Sequence, residues 1–365
     1  MTAASAQVAG EAELFVRPRD VVLVRAWLVA LALLVVLMVA VGGATRLTGS
    51  GLSITEWRPV TGAIPPITDK AWLEEFAKYR QIPQYELLNY GLTLAEFKFI
   101  YWWEWSHRQL GRLIGLVFFV PLVWFWLKGR VRGKLAAALL AVGCLGALQG
   151  AVGWIMVASG LQPGMTAVAP VKLALHLTIA SLILAALVWI AAGLDGRPAP
   201  IVEPDDGRGL RAGAYLLTGL VFVQITLGGL VAGSRAGLTY NTWPLMDGRI
   251  LPPAATLFSG TPWIENFVDN LALVQFNHRL VAYVIVALAL WHAVSAWRIA
   301  PNSGAARRAG TLAALCAAQM ALGIATLVLV VPLWAGLAHQ LLAMVVLATA
   351  VAHARRCAGA SGLAA

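Results

Sequence analysis

Charge is scarce in this sequence. Only 12% of its 365 residues are charged and 60% are hydrophobic, whereas a soluble domain carries roughly 25% charged residues. That deficit excludes an ordinary soluble domain. Cysteine is scarce too. Cys144, Cys316 and Cys357 are the whole complement, and none lies in a CxxC or CxxCH arrangement. This spacing excludes a cysteine zinc site and a covalently attached c-type haem, and leaves each thiol as a small apolar residue. There is no Walker motif, dinucleotide fingerprint or hydrolase triad. No cleavable signal peptide is evident, and Glu11, Glu13 and Asp20 argue against a mitochondrial transit peptide. The first apolar run is therefore expected to be an uncleaved anchor.

Apolar runs of about 20 residues, the length that crosses a bilayer, are abundant. They predict spans near 22–44, 104–127, 135–159, 170–193, 211–233, 273–297, 309–331 and 333–353. The last two are the least clearly separated, because Pro332 leaves almost no loop between them. The net charge of +10 is spread over alternate loops rather than gathered in one patch. Arg17, Arg19 and Arg25 open the first span, and Lys128, Arg130, Arg132 and Lys134 fill a short loop. Arg197, Arg208 and Arg211, then Arg298, Arg307 and Arg308, and finally Arg355 and Arg356 follow the same alternation. With eight spans all of these fall on one side. That positive-inside pattern predicts a multi-pass protein of a bacterial cytoplasmic (inner) membrane with both termini cytoplasmic. Its charge partner is then the lipid bilayer, and no nucleic acid is expected.

The chain repeats itself. Gly42, Gly51, Leu52, Trp57, Gly62 and Pro66 recur 186 residues later as Gly228, Gly237, Leu238, Trp243, Gly248 and Pro252. His107 and Arg108 recur as His278 and Arg279, Gln149 and Gly153 as Gln319 and Gly323, and His176 as His339. Each repeat holds four spans, an even number, so both enter the membrane in the same direction. They are expected to be related by a pseudo-two-fold axis along the membrane normal. The expected fold is an all-α integral membrane protein of eight transmembrane helices in two such four-helix bundles. The expected organisation is a cytoplasmic tail (1–21), a first half (22–193), a cytoplasmic linker (194–210), a second half (211–353) and a cytoplasmic tail (354–365).

Ionisable groups inside a membrane span are costly and mark function. Four of the six histidines are matched by the repeat: His107, His176, His278 and His339. Each is expected a few residues in from the outer end of an even-numbered span. Two per half, on neighbouring helices, suit axial ligation of a haem iron from both faces. The alternatives are histidines packed against other helices, or zinc, for which the matched segments offer no Cys or Asp. His292 and His353 lie 14 residues after His278 and His339, about 21 Å deeper on the same helices. Their first-half equivalents are Pro121 and Ile190, so the repeat does not support them. A second haem near the inner surface and interfacial snorkelling are the two readings for this pair.

The halves also differ. Glu104-Trp105-Ser106-His107-Arg108 matches Gln275-Phe276-Asn277-His278-Arg279. A carboxylate three residues before a ligand lies on the same helix face and can take a proton or stabilise positive charge, which glutamine does poorly. The repeat thus suggests chemistry in the first half and electron transfer in the second. The plainer reading of Glu104 is an interfacial residue paired with Arg108. Arg108 and Arg279 suit haem propionates as bidentate donors, or lipid headgroups. Trp57, Trp102, Trp103, Trp105 and Trp243 suit an aromatic belt at the outer surface. The glycine pairs 42–43 and 228–229 suit close helix approach.

These residues resemble the haem A synthase family. The resemblance rests on Val41–Ser53 (VGGATRLTGSGLS), on Glu104–Arg108, on Phe276-Asn277-His278-Arg279, and on His176 and His339 in the fourth and eighth spans. It runs from about residue 22 to 353. It implies oxidation of a methyl substituent of haem O to the formyl group of haem A, by successive hydroxylations, for terminal oxidases. It implies haem b as a prosthetic group on His278 and His339, the substrate haem O between His107 and His176, and Glu104 as the essential acid. Implied partners are a haem O-producing enzyme, an electron acceptor of unassigned class and, as a further option, a second copy of the chain. Some members carry a cysteine pair in the outer loops. This chain has none in 45–103 or 234–272, so it resembles the longer-loop type without that pair. A non-catalytic di-haem b-type electron carrier is the alternative, and a transporter is a third option, disfavoured because the histidines lie near one surface rather than at the midplane.

Overall fold

A computed structural model of the protein describes residues 18–194 and 204–358. Arg17 and Arg197, most of the expected N-terminal tail, the middle of the expected linker and the end of the C-terminal tail lie outside the described residues. Among the described residues, eight helices are long and apolar enough to cross a membrane. They are α1 (Pro18–Leu47), α2 (Leu94–Leu127), α3 (Gly133–Gly160), α4 (Pro170–Gly193), α5 (Pro204–Ser234), α6 (Leu271–Ile299), α7 (Gly304–Val328) and α8 (Leu333–Cys357). The protein is a multi-pass membrane protein.

Local chemistry sets the helix starts. Thr93 and Glu96 form a capping box on α2, and the side chains of Asn270 and Ser303 accept from backbone N–H groups to cap α6 and α7. Pro170 opens α4 and Pro332 caps α8, positions where no intrahelical N–H is needed. The capping box also explains a difference from expectation. Helix α2 begins at Leu94, ten residues before the predicted span. The extension buries Phe97, Ile100 and Tyr101 against Trp72, Tyr79 and Tyr85 of two short outer-loop helices, Asp69–Tyr79 and Pro83–Leu88. At the α7–α8 junction the chain turns through Val330 and Val331 in the left-handed region, at φ 59° and 55°. Branched side chains adopt that conformation only under constraint, here the bonds from their N–H groups to Leu327 and Thr326.

The spans form two rings. In the first half α1 packs on α2 and α4, and α3 packs on α4; in the second α5 packs on α6 and α8, and α7 packs on α6 and α8. The rings meet through α4 on α5, α8 on α1, and α4 on α8. A two-fold exchange of the halves swaps the first two contacts and maps the third onto itself. At the outer end of this interface the Arg46 guanidinium donates to the carbonyl of Ala232, its own equivalent at the 186-residue offset. One apolar core spans both rings and includes Leu28, Leu31, Leu184, Leu217, Leu312 and Leu347. Outward-facing apolar side chains such as Leu116 and Trp297, each 62% exposed, suit a lipid solvent. The symmetry is imperfect in one place: α2 meets α3 only sparsely, whereas α6 packs extensively on α7.

Candidate haem-binding sites

The four repeat-matched histidines come from α2, α4, α6 and α8, the even-numbered spans. They do not sit on neighbouring helices as expected. In each ring the two histidine-bearing helices are diagonal, and in the second the imidazoles face each other across the bundle interior. His278 and His339 have ring centroids 6.5 Å apart and planes at 76°. Two imidazole–metal bonds of about 2 Å plus the two ring half-widths come to roughly this separation. His107 and His176 occupy the equivalent places on α2 and α4 of the first half, beside Gly42 and Gly153. His107 is thirteen residues into α2, while His176, His278 and His339 are six or seven into theirs. The outward extension of α2 accounts for the difference.

The other diagonal, α1 with α3 and α5 with α7, makes room for the rings. A Cβ added at Gly42 would lie 3.0 Å from the His107 ring, at Gly153 2.9 Å from His176, at Gly228 3.2 Å from His278, and at Gly323 2.8 Å from His339. Real Cβ atoms do not approach other groups so closely without displacing them. These glycines are therefore imidazole clearances. Only their neighbours serve helix approach: a Cβ on Gly229 would meet the Ala174 backbone at 2.8 Å across the ring interface.

Glutamines stand one turn before three of the four glycines. Gln149 Nε2 is 3.3 Å from His176 Nε2. Gln224 Nε2 is 3.3 Å from His278 Nε2 and donates to the His278 carbonyl at 3.0 Å. Gln319 Nε2 is 3.2 Å from His339 Nδ1 and donates to the His339 carbonyl at 2.9 Å. Gln224 escaped the reading of the sequence, although the 186-residue offset that reveals its first-half equivalent, Met38, was visible there.

A metalloporphyrin fits these residues. The Nδ1 atoms of His176 and His278 and the Oε1 atoms of Gln149, Gln224 and Gln319 are buried without a partner, an unusual concentration of unmet polar groups. Among the described residues no group of three or more His, Cys, Asp or Glu side chains could hold a metal, which removes the zinc reading. Haem iron needs only the two axial imidazoles that each ring supplies.

Glu104 is buried, at 3% exposure, one turn outward of His107. Its Oε2 accepts from Ser53 Oγ and from the Ile54 N–H, both at 2.9 Å, and its Oε1 pairs with Arg108 at 2.6 Å. The expected Arg108 partnership is present, but the carboxylate is enclosed rather than interfacial. Gln275 occupies the equivalent place with inverted polarity: its amide donates to the Ala236 carbonyl at 2.9 Å and accepts from Arg279 at 3.1 Å. The arginines also hold the outer loops. Arg108 donates to the carbonyls of Ile54 and Glu56, and Arg279 to those of Tyr240 and Leu245. Of the tryptophans expected in a belt, Trp57, Trp102 and Trp243 are exposed, whereas Trp103 and Trp105 are half-buried.

His292 and His353 contradict both readings given to them. Each is 1% exposed, which excludes snorkelling. Their Nε2 atoms are 2.8 Å apart and their ring centroids 5.1 Å, too close for an iron between them. They are a directly hydrogen-bonded pair, with Gly213 giving clearance to His292.

The chain matches the family described as cytochrome oxidase assembly protein over residues 25–351. It is 68% identical to haem A synthase of Methylobacterium sp. (strain 4-46), over 93% of this chain and 92% of that protein. It is 66% identical to haem A synthase of Methylorubrum extorquens (strain PA1), over 92% and 87%. It is 51% identical to haem A synthase of Brucella ovis, over 94% of each.

Proposed function

The chain belongs to the haem A synthase family, and from that premise we infer that it is a membrane oxidoreductase that oxidises a methyl group of haem O to the formyl group of haem A. The observation that carries the reading is the duplicated diagonal pair of imidazoles, each cleared by a glycine on the adjoining helix. The first half, 22–193, is the substrate side, with haem O between His107 and His176. The second half, 211–353, holds haem b on His278 and His339, and the 6.5 Å ring separation supports that assignment. When bound there, haem b supplies a one-electron carrier beside the substrate half.

The chain's own residues do the rest. His107 and His176 would hold and orient the substrate haem. Glu104, one turn from His107, is the group that accepts a proton or stabilises positive charge developing at the substrate. Its bonds to Ser53, Ile54 and Arg108 fix the carboxylate in an enclosed site. Gln275, donating to carbonyls in the equivalent place, has no such capacity, and this favours an enzyme over a symmetric di-haem electron carrier. Arg108 and Arg279 seat the outer loops over the two sites, and their remaining N–H groups suit propionate carboxylates. The basic inner loops support placement in the bacterial cytoplasmic membrane with both termini cytoplasmic. A haem O-producing enzyme and an electron acceptor are the partners this chemistry requires.

The test is expression of the full chain in a host supplying haem O, followed by analysis of extracted haems. Haem A appears with the wild type and disappears with Glu104→Gln. A carrier without catalytic function would form no haem A in either case. Purified wild-type protein that shows no haem absorbance, or that keeps its full spectrum after replacement of both His278 and His339, would overturn the site assignment.

A further inference from the structure

Every odd-numbered span carries a residue of note one turn before its clearing glycine. In α3, α5 and α7 that residue is glutamine: Gln149 before Gly153, Gln224 before Gly228, Gln319 before Gly323. In α1 it is Met38 before Gly42. Residues four apart share a helix face, so Met38 occupies the place beside His107 that Gln224 occupies beside His278.

The three glutamines are not equally engaged. In the second half both reach past the ring to the backbone: Gln224 donates to the His278 carbonyl at 3.0 Å and Gln319 to the His339 carbonyl at 2.9 Å. Each such bond ties a glycine-bearing helix to the ligand residue of the next. In the first half Gln149 touches only the His176 ring, and a thioether makes no equivalent bond. A hydrogen bond between helices inside a membrane has no water to replace it when it breaks, so these links resist the helix movement that would separate two axial ligands. The sparse contact of α2 with α3, against the extensive contact of α6 with α7, points the same way.

We propose that Gln224 and Gln319 are positioning residues that lock the histidines of the second half around a permanent haem, and that Met38, in place of a fourth glutamine, leaves the first half able to release its haem after each turnover. The inference rests on the assignment of the halves given above. It adds the feature that makes one site a cofactor site and the other a substrate site, although both present the same pair of imidazoles. A substrate site must exchange its occupant, whereas a cofactor site must not.

The experiment uses detergent-purified full-length holoprotein and follows haem transfer to excess apomyoglobin by absorbance. Replacing Gln224 with the residue of the first half, Gln224→Met, is expected to speed loss of the second-half haem about fivefold, the scale of one lost hydrogen bond. It also shifts the midpoint potential and the ferric low-spin resonance of that haem, because the imidazole orientation relaxes; a purely structural role would leave these unmoved in the protein still folded. The reciprocal Met38→Gln is expected to slow release of haem O loaded into the first half by a similar factor and to raise the haem content of the purified protein. Release rates within about twofold of wild type in both variants overturn the proposal. Should Gln224→Met not yield folded protein, Met38→Gln decides alone. A wild type that binds no haem at all refutes the functional assignment instead, and wild-type haem that stays bound when His278 and His339 are both replaced does the same.

Discussion

The two halves share a backbone plan and differ in what they place on it. At the position one turn outward of the first imidazole, one half encloses a carboxylate that accepts from loop donors and the other an amide that donates to loop carbonyls. At the inner end, one half is filled by Trp27 against Phe118 and Phe125, and the other by a pair of hydrogen-bonded histidines. The repeat gives two equivalent sets of histidines and clearing glycines, and the halves diverge at a few positions beside them.

The sharpest way to break this comparison is at the carboxylate. Glu104→Gln is expected to lower haem A formation by about 10²-fold or more, with the second-half haem spectrum unchanged. The converse change, Gln275→Glu, points a carboxylate at the Ala236 and Tyr240 carbonyls. It is expected to destabilise the second half without adding activity. Haem extraction and the reduced-minus-oxidised spectrum separate the two outcomes, and an active Glu104→Gln protein would refute the division of labour.

The clearing glycines give the next largest effect, and it is confined to one half at a time. Gly323→Leu drives a side chain into the position of His339, where even a Cβ would lie 2.8 Å from the ring. Loss of most haem b from the purified protein is expected. Gly153→Leu does the same to His176 and is expected to abolish conversion while the haem b content stays near wild type. Equal haem loss in both variants would mean that the halves do not bind independently.

A smaller difference is expected between the loop-holding arginines. Arg108→Leu strands the buried Glu104 carboxylate without its counter-charge, a loss on the order of 3–5 kcal/mol. Arg279→Leu removes donors from carbonyls and from a neutral amide, costing about 1–3 kcal/mol. Thermal unfolding of the two variants in the same detergent checks the order. A larger loss for Arg279→Leu would show that the Glu104–Arg108 pair is not the stronger of the two anchors.

Much of this was legible in the sequence, because the repeat is carried by residue identity at fixed offsets. The eight spans, the two halves, the four histidines and the contrast of Glu104 with Gln275 all follow from apolar run length and register. What was hidden depends on which helices meet. Diagonal placement of the ligand helices comes from ring packing, which hydropathy does not encode. The role of Gly42 and Gly228 appears only when a neighbouring imidazole is seen to fill the space a side chain would need. The enclosure of Glu104 depends on a loop that returns Ser53 and Ile54, 51 and 50 residues away in sequence, to the face of α2. The start of α2 at Leu94 is set by the Thr93–Glu96 capping box, which apolar run length does not encode.

The inner ends give the smallest predicted effect and the most discriminating one. His292 and His353 hydrogen-bond one another, and His353 has a further weak contact, with Cys357 Sγ at 3.8 Å, so removing one partner weakens the pairing of a buried ring nitrogen, at a cost of about 1–3 kcal/mol. Replacing both with apolar residues removes the donor and the acceptor together. The first half already shows such a solution, with Pro121 and Ile190 at the equivalent positions and an aromatic cluster around Trp27. Each single change to leucine is therefore expected to lower the unfolding temperature more than the double change does, with the His278–His339 haem spectrum intact in all three proteins. Additive losses in the double variant would show that the two rings act separately. Loss of haem from any of the three would tie this pair to the cofactor site some 21 Å away along the helices, and the separation of inner packing from outer chemistry would no longer hold.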